Sequence, residues 1–599
     1  MSQSTISFLD FSRRLGSKLS RNGNLATLLK AQGLKKGLNL SIGLVIEETA
    51  AEHPNSVAIK YQDRRLTWRE FNQLCNRYAA VLADAGVKSG DRVAISMENR
   101  AETLAVVVAA LKLGGVAAML NTAQTGEVLD HSLGLVAPVV TVVGEEQVAC
   151  IETADPSITG TRLWLADDTD NDAPEGYQNL GRLAMKASGD NPASTAQVKI
   201  DQACFYIFTS GTTGLPKASI MTHYRWYRAA LLMGKVTMEM TEEDTFYCCL
   251  PFYHNNALTL ALGCMAISGA SMAVGRKFSA SGFWDECRQY DATAFAYIGE
   301  LLRYLLNQDP KANDADHKVY KIFGNGLRPD IWDEFKSRFG IHRIHEFYGA
   351  SEGNNAFINL FNYDKTCGWS AKGWETIAYD VDEDTPKLCA KRKFEKTGKG
   401  ETGLLIFEVS DRFPFDGYTN KEASEKKLMR DVFKKGDCWF NTGDLVRKLG
   451  FGHIQFVDRV GDTFRWQGEN VATTEVEAAA IKFAQTEDAV VYGIEIPGRD
   501  GRCGMLSYTV KQGEELDLTG LARHLQAKLP KYAVPRFMRV EQVQEVTGTF
   551  KHQKTKLKKQ GYDLEQIAEP LFYLSPAAST FVPLTPEIVA EIEAGTAKL

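Results

Sequence analysis

The sequence predicts an α/β protein with a large N-terminal domain of doubly wound sheets, a β-rich subdomain and a small mobile α/β C-terminal domain. From Thr245 onward, short apolar runs alternate regularly with helical patterns, which predicts parallel strands joined by helical crossovers. From Gly398 the strands become shorter and are separated by turns, as in a β-rich subdomain. After Arg459, two further helical patterns and two apolar runs indicate a separate small α/β unit.

The predicted elements follow in chain order. Residues 104–120 read as a buried helix followed by a buried strand, and residues 204–208 as a buried strand. Later strands are predicted at 246–250, 271–274, 293–298, 319–323, 344–347, 404–409, 453–457, 489–494 and 505–510. Helices are predicted at 257–267, 283–290, 301–306, 331–339, 475–483 and 518–529. We expect an N-terminal domain over 1–458, a hinge over 459–464 and a C-terminal lid domain over 465–599.

Composition excludes several classes of protein. The 599 residues are 44% hydrophobic and 24% charged, which suits a large globular core with a further domain. A formal net charge of -6 argues against a nucleic-acid partner, because phosphate backbones favour basic surfaces. The 11 cysteines form no C-x-x-C pair, so neither a disulfide framework nor a zinc site is expected, and a reducing cytoplasm fits best. No secretory signal is apparent, and Lys112 interrupts the most apolar segment, short of a span of roughly 20 residues.

The segment YIFTSGTTGLPK, from Tyr206 to Lys217, is the strongest chemical signal. It leaves a predicted buried strand as a loop of hydroxyls and glycines that can direct N–H groups and side-chain oxygens at phosphates. The loop residues are Thr209, Ser210, Gly211, Thr212, Thr213 and Gly214. A Walker A loop is excluded, because Leu215-Pro216 separates the last glycine from the lysine. The alternative interpretation is a plain Ser/Gly-rich turn.

This loop resembles the phosphate loop of the AMP-forming, adenylate-forming enzymes, and other motifs of that family follow in order. FYGASE, at 347–352, is similar to the family's aromatic-Gly-x-Thr-Glu element, with Ser351 in place of the usual threonine. TGD, at 442–444, resembles the ribose-binding turn, and DRVGDTFRWQGENV, from Asp458, resembles the interdomain hinge. GTFK, at 548–551, occupies the place of the adenylation lysine, although Phe550 stands where many members have glycine.

The resemblance implies a role for each of these residues, with ATP, Mg²⁺ and coenzyme A as cofactors. Catalysis would depend on Lys551, Glu352, Thr209 and Lys217, and the metal would be held by Glu352 and Thr209. Nucleotide and CoA binding would involve the loop residues named above with Gly324, Asn325, Gly326, Tyr348, Gly349, Ser351, Asp444, Arg459, Gly468 and Lys551. The alternatives are a solvated lysine at Lys551, an ordinary exposed acid at Glu352, and simple turns at the glycines.

Two longer stretches narrow the resemblance. FSASGFWDECRQYDATAFAYIGELLRYLLN, at 278–307, and GDTFRWQGENVATTEVE, at 461–477, are similar to the fatty acid transport protein branch, the very-long-chain acyl-CoA synthetases. The implied reaction joins a carboxylate and ATP to give acyl-adenylate and pyrophosphate, after which CoA displaces AMP. His254, Tyr253 and Tyr297 would belong to the acyl channel, although a core histidine is the alternative for His254.

Three other functions stay open at this point. An adenylation enzyme serving a carrier protein is the first, and a ligase for a sterol side-chain or bile-type acid is the second. The third is a fatty acid uptake protein that traps its substrate as the CoA ester. The segments 257–267 and 293–304 are mostly apolar, with Glu300 and Arg303 as the exceptions. They favour an alkyl tail, since each buried methylene contributes roughly 0.8 kcal/mol.

Two expectations concern movement and location. Gly461 is predicted to be the hinge about which the C-terminal unit turns, exchanging Lys551 for Gly468 between the two half-reactions. Apolar residues at helical spacing near the N-terminus, together with basic ones, allow a peripheral contact with the inner face of the membrane. These are Phe8, Phe11, Leu15 and Leu19, with Arg13, Arg14, Lys18 and Arg21. The alternative is a helix packed on the body, and a homodimer is also allowed.

Overall fold

The computed structural model contains two large parallel or mixed sheets followed by a smaller C-terminal sheet. It describes residues 5–21, 23–167, 171–209, 216–349, 353–380, 385–388, 393–411, 413–415, 417, 421–467, 469–499, 501–544, 552 and 554–597. In the described residues no helix is long and apolar enough to cross a membrane.

The first sheet has seven strands, and all neighbours are parallel except the last pair. Its order is Gln178–Asn179, Thr161–Leu165, Val140–Gly144, Arg92–Ser96, Val116–Met119, Ala203–Thr209 and Lys217–Thr222. The strand Val116–Met119 is completely buried, and so is the helix Ala101–Lys112 apart from Glu102, as their apolar sequences predict. The last two strands form the antiparallel hairpin from which the phosphate motif emerges.

The second sheet has fourteen strands and combines a parallel centre with an antiparallel, β-rich end. The parallel centre is Val57–Tyr61, Ser271–Val274, Thr245–Cys248, Ala294–Ile298, Lys321–Asn325 and Arg343–Tyr348. The antiparallel strands are Arg64–Thr67, Phe357–Ile358, Gly368–Trp369, His453–Arg459, Cys438–Gly450, Thr402–Glu408, Trp374–Ile377 and Leu428–Arg430. Each parallel strand predicted from Thr245 onward is therefore confirmed, with bounds shifted by up to two residues.

A third group of strands forms its own core after the hinge, from Phe464 to Ala597. Its sheet runs Thr486–Glu495, Arg502–Val510, Phe537–Val540, Leu571–Ser575 and Thr580–Pro583. The hairpin Phe464–Trp466 with Glu469–Val471 lies beside it, and a further short pair joins Tyr379–Asp380 to Thr385–Pro386 in the preceding part of the chain. We refer to residues 464–597 as the small unit and to the preceding residues as the large unit.

Helices cover these sheets. In the large unit they are Phe8–Leu19, Asn24–Gln32, Ile42–Glu52, Trp68–Asp84, Ala101–Lys112, Gly126–Val136, Val148–Ile151, Leu180–Lys186, His223–Ala230, Leu262–Ser268, Phe283–Gln289, Gly299–Leu306, Trp332–Arg338 and Lys421–Glu425. In the small unit they are Thr473–Ile481, Leu518–Lys528, Lys554–Gln560 and Pro586–Glu593. Short 3₁₀ turns occur at Glu145–Gln147, Pro156–Ile158 and Thr195–Gln197. Two segments predicted as ordinary helix or left unassigned, Asn256–Ala261 and Leu231–Thr237, are π-helical.

The N-terminal helix Phe8–Leu19 packs on the body, which is the stated alternative to a helix that contacts the membrane. Phe11 stacks on Phe451 with ring centroids 5.5 Å apart. Arg14 donates to the backbone oxygens of Phe361 and Asn362, each at 2.9 Å. Lys18 is buried against Glu239 at 2.8 Å, so two of the four basic residues and the central apolar one bind protein.

Candidate functional site

The phosphate motif forms the tip of an antiparallel hairpin. Thr209 is paired with Lys217 where the two strands diverge, so the loop between them leaves the end of the sheet. His131 donates to the backbone oxygen of Pro216 at 3.0 Å and thereby anchors the far side of the loop. Ser210, Gly211, Thr212, Thr213 and Gly214 lie outside the described residues, as does the side chain of Thr209. Their phosphate-binding roles remain predictions.

The two nucleotide motifs end strands of different sheets, although their alternating sequences suggested equivalent positions. The hairpin belongs to the seven-stranded sheet, while Tyr348 ends the strand Arg343–Tyr348 of the fourteen-stranded sheet. Arg225 connects the two, because its guanidinium donates to the backbone oxygens of Ile220, at 2.8 Å, and Gly353, at 2.7 Å. The site therefore lies between two sheets rather than along one edge.

Three predicted nucleotide-binding residues meet at this place. The Tyr348 hydroxyl donates to the Asp444 carboxylate, and the Arg459 guanidinium lies 3.6 Å from the other oxygen of that carboxylate. Asp444 and Arg459 face each other across adjacent antiparallel strands, which explains how residues 15 positions apart in sequence come together. Burial and the neighbouring Asp444 raise the pKa of Tyr348 well above its usual value, so its hydroxyl keeps its proton and acts as a donor.

The turn formed by Gly324, Asn325 and Gly326 ends the neighbouring parallel strand. A side chain at Gly324 would place its Cβ 2.1 Å from the backbone oxygen of Tyr297, so only glycine fits there. The Asn325 side chain accepts a hydrogen bond from Asn256 at 2.7 Å. Asn256 opens one of the π-helical segments, so the predicted adenine turn is joined to the predicted acyl channel.

Glu346 is a site residue that the motifs did not identify. Its carboxylate is 3% exposed and accepts from the backbone N–H groups of Gly326, at 3.0 Å, and Leu327, at 2.9 Å. The Tyr297 hydroxyl donates to it at 2.6 Å. Burial raises the pKa of Glu346 to about 8, although all three donors favour the charged form. A charged residue within the apolar strand IHEFY was the signal that could have indicated it.

The predicted channel residues lie near this turn. The rings of Tyr253 and His254 are 4.6 Å apart, and burial raises the pKa of Tyr253. Tyr297 is completely buried and faces Glu346. The segments Asn256–Ala261 and Leu231–Thr237 are π-helical, a feature that often occurs at functional sites because its wider turn displaces side chains. The channel assignment of these residues remains a prediction.

His342 and His345 lie three positions apart in the sequence, but they are not a pair of metal ligands. His345 is buried and donates from Nδ1 to the backbone oxygen of Asn359 at 2.8 Å. Burial lowers the pKa of His345 to about 3, so the ring is neutral and structural.

Several predicted site residues cannot be compared with the structure. Ser351, Glu352, Gly468 and Lys551 lie outside the described residues, whereas Gly349 directly follows the strand that ends at Tyr348. Among the described residues no group of three or more histidine, cysteine or acidic side chains could hold a metal ion. The magnesium role of Glu352 and Thr209 therefore stays an expectation.

The predicted hinge has the backbone geometry that requires glycine. Gly461 has a φ of 84°, in the left-handed region that favours glycine, and open space where a Cβ would lie. Its backbone oxygen accepts from Lys558 of the small unit at 2.8 Å. Just before it, the buried Asp458 accepts from the backbone N–H of Thr473 at 2.8 Å and the hydroxyl of Thr463 at 3.0 Å.

A cavity of about 450 Å³ lies beside the hinge. Three arginines contribute to its wall: Arg465, Arg499 and Arg502. Gly461 also lines it, and every lining residue falls between 461 and 502. The hairpin formed by Phe464–Trp466 and Glu469–Val471 thus borders a space whose charged wall combines the three arginines with Glu495, which lies 3.8 Å from Arg502. The arginines could hold phosphates.

The family of the chain follows from comparison with known proteins. Residues 46–407 match the family described as AMP-binding enzyme. The chain belongs to the AMP-binding enzymes. It is 47% identical to the medium/long-chain-fatty-acid–CoA ligase FadD6 of Mycobacterium tuberculosis, over 93% of this chain and 91% of the relative. It is 38% identical to the long-chain fatty acid transport protein 2 of Rattus norvegicus, over 96% of this chain and 94% of the relative.

Solved structures of AMP-binding enzymes share the fold. The anthranilate CoA ligase AuaEII in complex with anthranoyl-AMP superposes with a TM-score of 0.76 at 20% identity, covering 90% of this chain and all of the other. ATP-bound MatB from Rhodopseudomonas palustris gives a TM-score of 0.73 at 22% identity, covering 88% of this chain and all of the other. The predicted α/β fold and the resemblance to the fatty acid transport protein branch are confirmed.

Proposed function

We propose that this chain is an ATP-dependent, AMP-forming ligase that joins long-chain or very-long-chain fatty acids to coenzyme A. The observation that carries the proposal is the meeting of Tyr348, Asp444 and Arg459 at the strand ends of an AMP-binding enzyme. The 47% identity to a fatty-acid–CoA ligase supports the choice of substrate and acceptor.

In the first half-reaction a carboxylate attacks the α-phosphorus of ATP. This step needs neutralised phosphate charge and a positioned nucleophile, and no covalent bond to the protein. The Tyr348 ring offers a face for adenine, while its hydroxyl orients Asp444 to accept from the ribose hydroxyls. Arg459 donates to the ribose from the hinge side.

The phosphates lie on the other side of the site. Lys217 and the hydroxyls of the loop bind the β- and γ-phosphates, with Thr209 and Glu352 as the residues for Mg²⁺. The bound metal neutralises phosphate charge through hard oxygen ligands. Lys551 bridges the attacking carboxylate and the α-phosphate.

In the second half-reaction the thiol of CoA displaces AMP. The small unit turns about Gly461, so that the Gly468 hairpin replaces Lys551 at the acyl-adenylate. The cavity beside this hairpin gives the phosphates of CoA three arginine partners, whose planar guanidinium groups bind phosphate oxygens in pairs.

Uptake of fatty acid by trapping is a second candidate function. The 38% identity to a long-chain fatty acid transport protein over 96% of the chain favours it. Conversion to a CoA ester would trap the acid by the same chemistry, so this function extends the ligase activity rather than replacing it.

The ligase activity is tested by AMP release. We expect release that requires both palmitate and CoA, and rates on acetate and benzoate far below that on palmitate, because each methylene adds roughly 0.8 kcal/mol. The carboxylic acids tested as substrates also include a sterol side-chain acid. Activity on that acid above that on palmitate, or equal activity on acetate, would contradict the fatty acid assignment.

Lys551→Ala tests the assignment of the two steps. We expect loss of acyl-adenylate formation, at least 100-fold, while a supplied acyl-adenylate is still converted to acyl-CoA. Lys559→Ala, at an exposed lysine of the same basic segment, is the matched control and should leave both steps unchanged. Equal loss of both steps in Lys551→Ala would remove the proposed role.

The membrane contact is proposed for the apolar side chains near the N-terminus that stay exposed, of which Phe8 belongs to the expected set. Phe8 and Leu9 are 64% and 81% exposed, and Leu25 and Leu29 of the next helix are 52% and 60% exposed. The substrate is a lipid, so this apolar face, near the exposed Arg13, is the part suited to an anionic bilayer. Leu9→Ser with Leu29→Ser should reduce binding to phosphatidylserine liposomes several-fold, and unchanged binding would exclude the contact.

A further inference from the structure

Arg303 connects the large unit to the small unit. It lies on the helix Gly299–Leu306, is 2% exposed and donates to the backbone oxygen of Glu487 at 2.9 Å. The same guanidinium lies 3.0 Å from the Asp488 carboxylate, and Asn307 donates to the Glu487 oxygen at 3.2 Å. A buried arginine of one unit therefore binds the start of the first sheet strand of the other.

The cluster around Arg303 contains a second acid and a histidine. Arg303 Nε donates to the Glu300 carboxylate of its own helix at 2.7 Å. On the far side, His552 Nε2 lies 3.7 Å from Asp488. His552 directly follows Lys551, the predicted adenylation lysine, in the sequence.

The position of this cluster indicates which half-reaction it serves. The helix that carries Arg303 directly follows the strand Ala294–Ile298, whose end adjoins the turn at Gly326. His552 is therefore linked, through Asp488 and Arg303, to a helix that begins beside that turn. The cavity beside the Gly468 hairpin, in contrast, is lined only by residues 461–502, none of them from the parallel strands of the large unit.

We propose that Arg303 and Asp488 are positioning residues for acyl-adenylate formation: their ion pair holds the small unit in the orientation that presents Lys551 to the nucleotide. The pair must open before the small unit turns for thioester formation. This inference rests on the proposed ligase function and its two half-reactions. Arg328, which donates to the backbone oxygen of Thr474 at 2.9 Å, supports the same orientation from a second point.

The test measures the two half-reactions separately in Arg303→Gln, Asp488→Asn and the double variant. Adenylation is followed as palmitate-dependent pyrophosphate release without CoA, and thioester formation as conversion of supplied palmitoyl-adenylate with CoA. We expect each single variant to slow adenylation at least tenfold and to change thioester formation less than twofold. The double variant should be no slower than the worse single variant, because one interaction is lost in all three.

Arg338→Gln is the matched control. Arg338 also binds a carboxylate, Asp314 at 2.7 Å, and two backbone oxygens, but all partners belong to the large unit. It should leave the ratio of the two rates unchanged. Both rates are measured on the same sample, so a loss of folded protein lowers them equally and cancels in their ratio. Arg303→Lys is a further variant, which keeps the buried positive charge.

Two results would overturn the inference, and they differ in whether the proposed ligase function fails as well. If the wild type performs both half-reactions and the Arg303 and Asp488 variants keep the wild-type ratio, the positioning role is wrong and the ligase function stands. If the wild type forms no acyl-adenylate, the proposed function fails and the inference fails with it.

Discussion

The turn at Gly326 and the interface at Arg303 are held by different kinds of contact. At the turn, the buried Glu346 accepts from two backbone N–H groups and from Tyr297, all of them in the large unit. At the interface, charged side chains of one unit meet carboxylates and backbone oxygens of the other.

This difference separates a fixed part of the site from a movable part. Breaking the contacts at Glu346 leaves buried polar groups with no water to replace the lost partner, which is costly. The interfacial groups become hydrated when the units part, so their separation costs less. We therefore expect nucleotide binding to depend on the preorganised turn, and the proposed half-reactions to depend on contacts that can exchange.

The largest effect is expected from fixing the movable part. Gly461 has a φ of 84°, whereas proline is restricted to about −65° and also constrains the residue before it. Gly461→Pro should therefore exclude the orientation described here and slow adenylation at least 100-fold, while thioester formation from supplied acyl-adenylate falls less than tenfold.

Gly461→Ala is the control for this prediction. Alanine in the left-handed region costs about 1–2 kcal/mol, so adenylation should fall by about 30-fold at most. A Gly461→Pro variant in which both half-reactions run at the wild-type rate would show that the unit does not turn at this residue.

Glu346→Gln should disturb the fixed part. The amide nitrogen of the introduced glutamine would face one of the present hydrogen-bond donors, and each buried donor left unpaired costs about 1–3 kcal/mol. We expect a lower unfolding free energy and a KM for ATP raised about tenfold, with a smaller change in kcat. Tyr297→Phe, which removes only one donor, is the comparison, and a larger effect there than in Glu346→Gln would contradict the role of the carboxylate.

The raised pKa of Glu346 also makes the unfolding free energy depend on pH, and the direction of that dependence is known. Burial raises the folded pKa of Glu346 to about 8 from 4.5, so the folded state binds this proton more tightly than the unfolded state. Its contribution to stability is complete below about pH 4.5 and is lost as the pH rises to about 8, with a slope of up to about 1.4 kcal/mol per pH unit. Urea unfolding at several pH values should show this slope in the wild type and a smaller one in Glu346→Gln.

The smallest effect is expected at the cavity beside the hinge. Replacing Arg499 and Arg502 by glutamine should raise the KM for CoA about tenfold, because each removes a phosphate partner, and should leave adenylation unchanged. Arg288→Gln, which removes an arginine far from this cavity along the chain, serves as the control. An unchanged KM for CoA, or an equal loss of adenylation, would remove the cavity from CoA binding.

Much of this architecture could be predicted from local sequence patterns. Alternating apolar and helical segments gave the parallel strands from Thr245 onward, and the TGD and DRVGD motifs identified Asp444 and Arg459, which pair across two strands. No local pattern indicates that Thr209 and Tyr348 end strands of different sheets, because the segments of both sheets have the same alternation.

Other features depend on partners distant in sequence. Glu346 was missed because its partner Tyr297 lies 49 residues earlier, and no local pattern connects them. Arg303 looked like an exception within an apolar segment until the structure placed Asp488 beside it. The π-helical turns have apolar spacing close to that of an α-helix, so periodicity alone does not distinguish them.

The docking of the N-terminal helix has a consequence for synthesis of the chain. Arg14 binds the backbone of Phe361, which is 347 residues further along. At about 5–20 residues per second, the ribosome needs roughly 20–70 s to make that partner. The helix therefore reaches its place only after several hundred further residues have been translated, and until then its apolar side is exposed to chaperones and to other nascent chains.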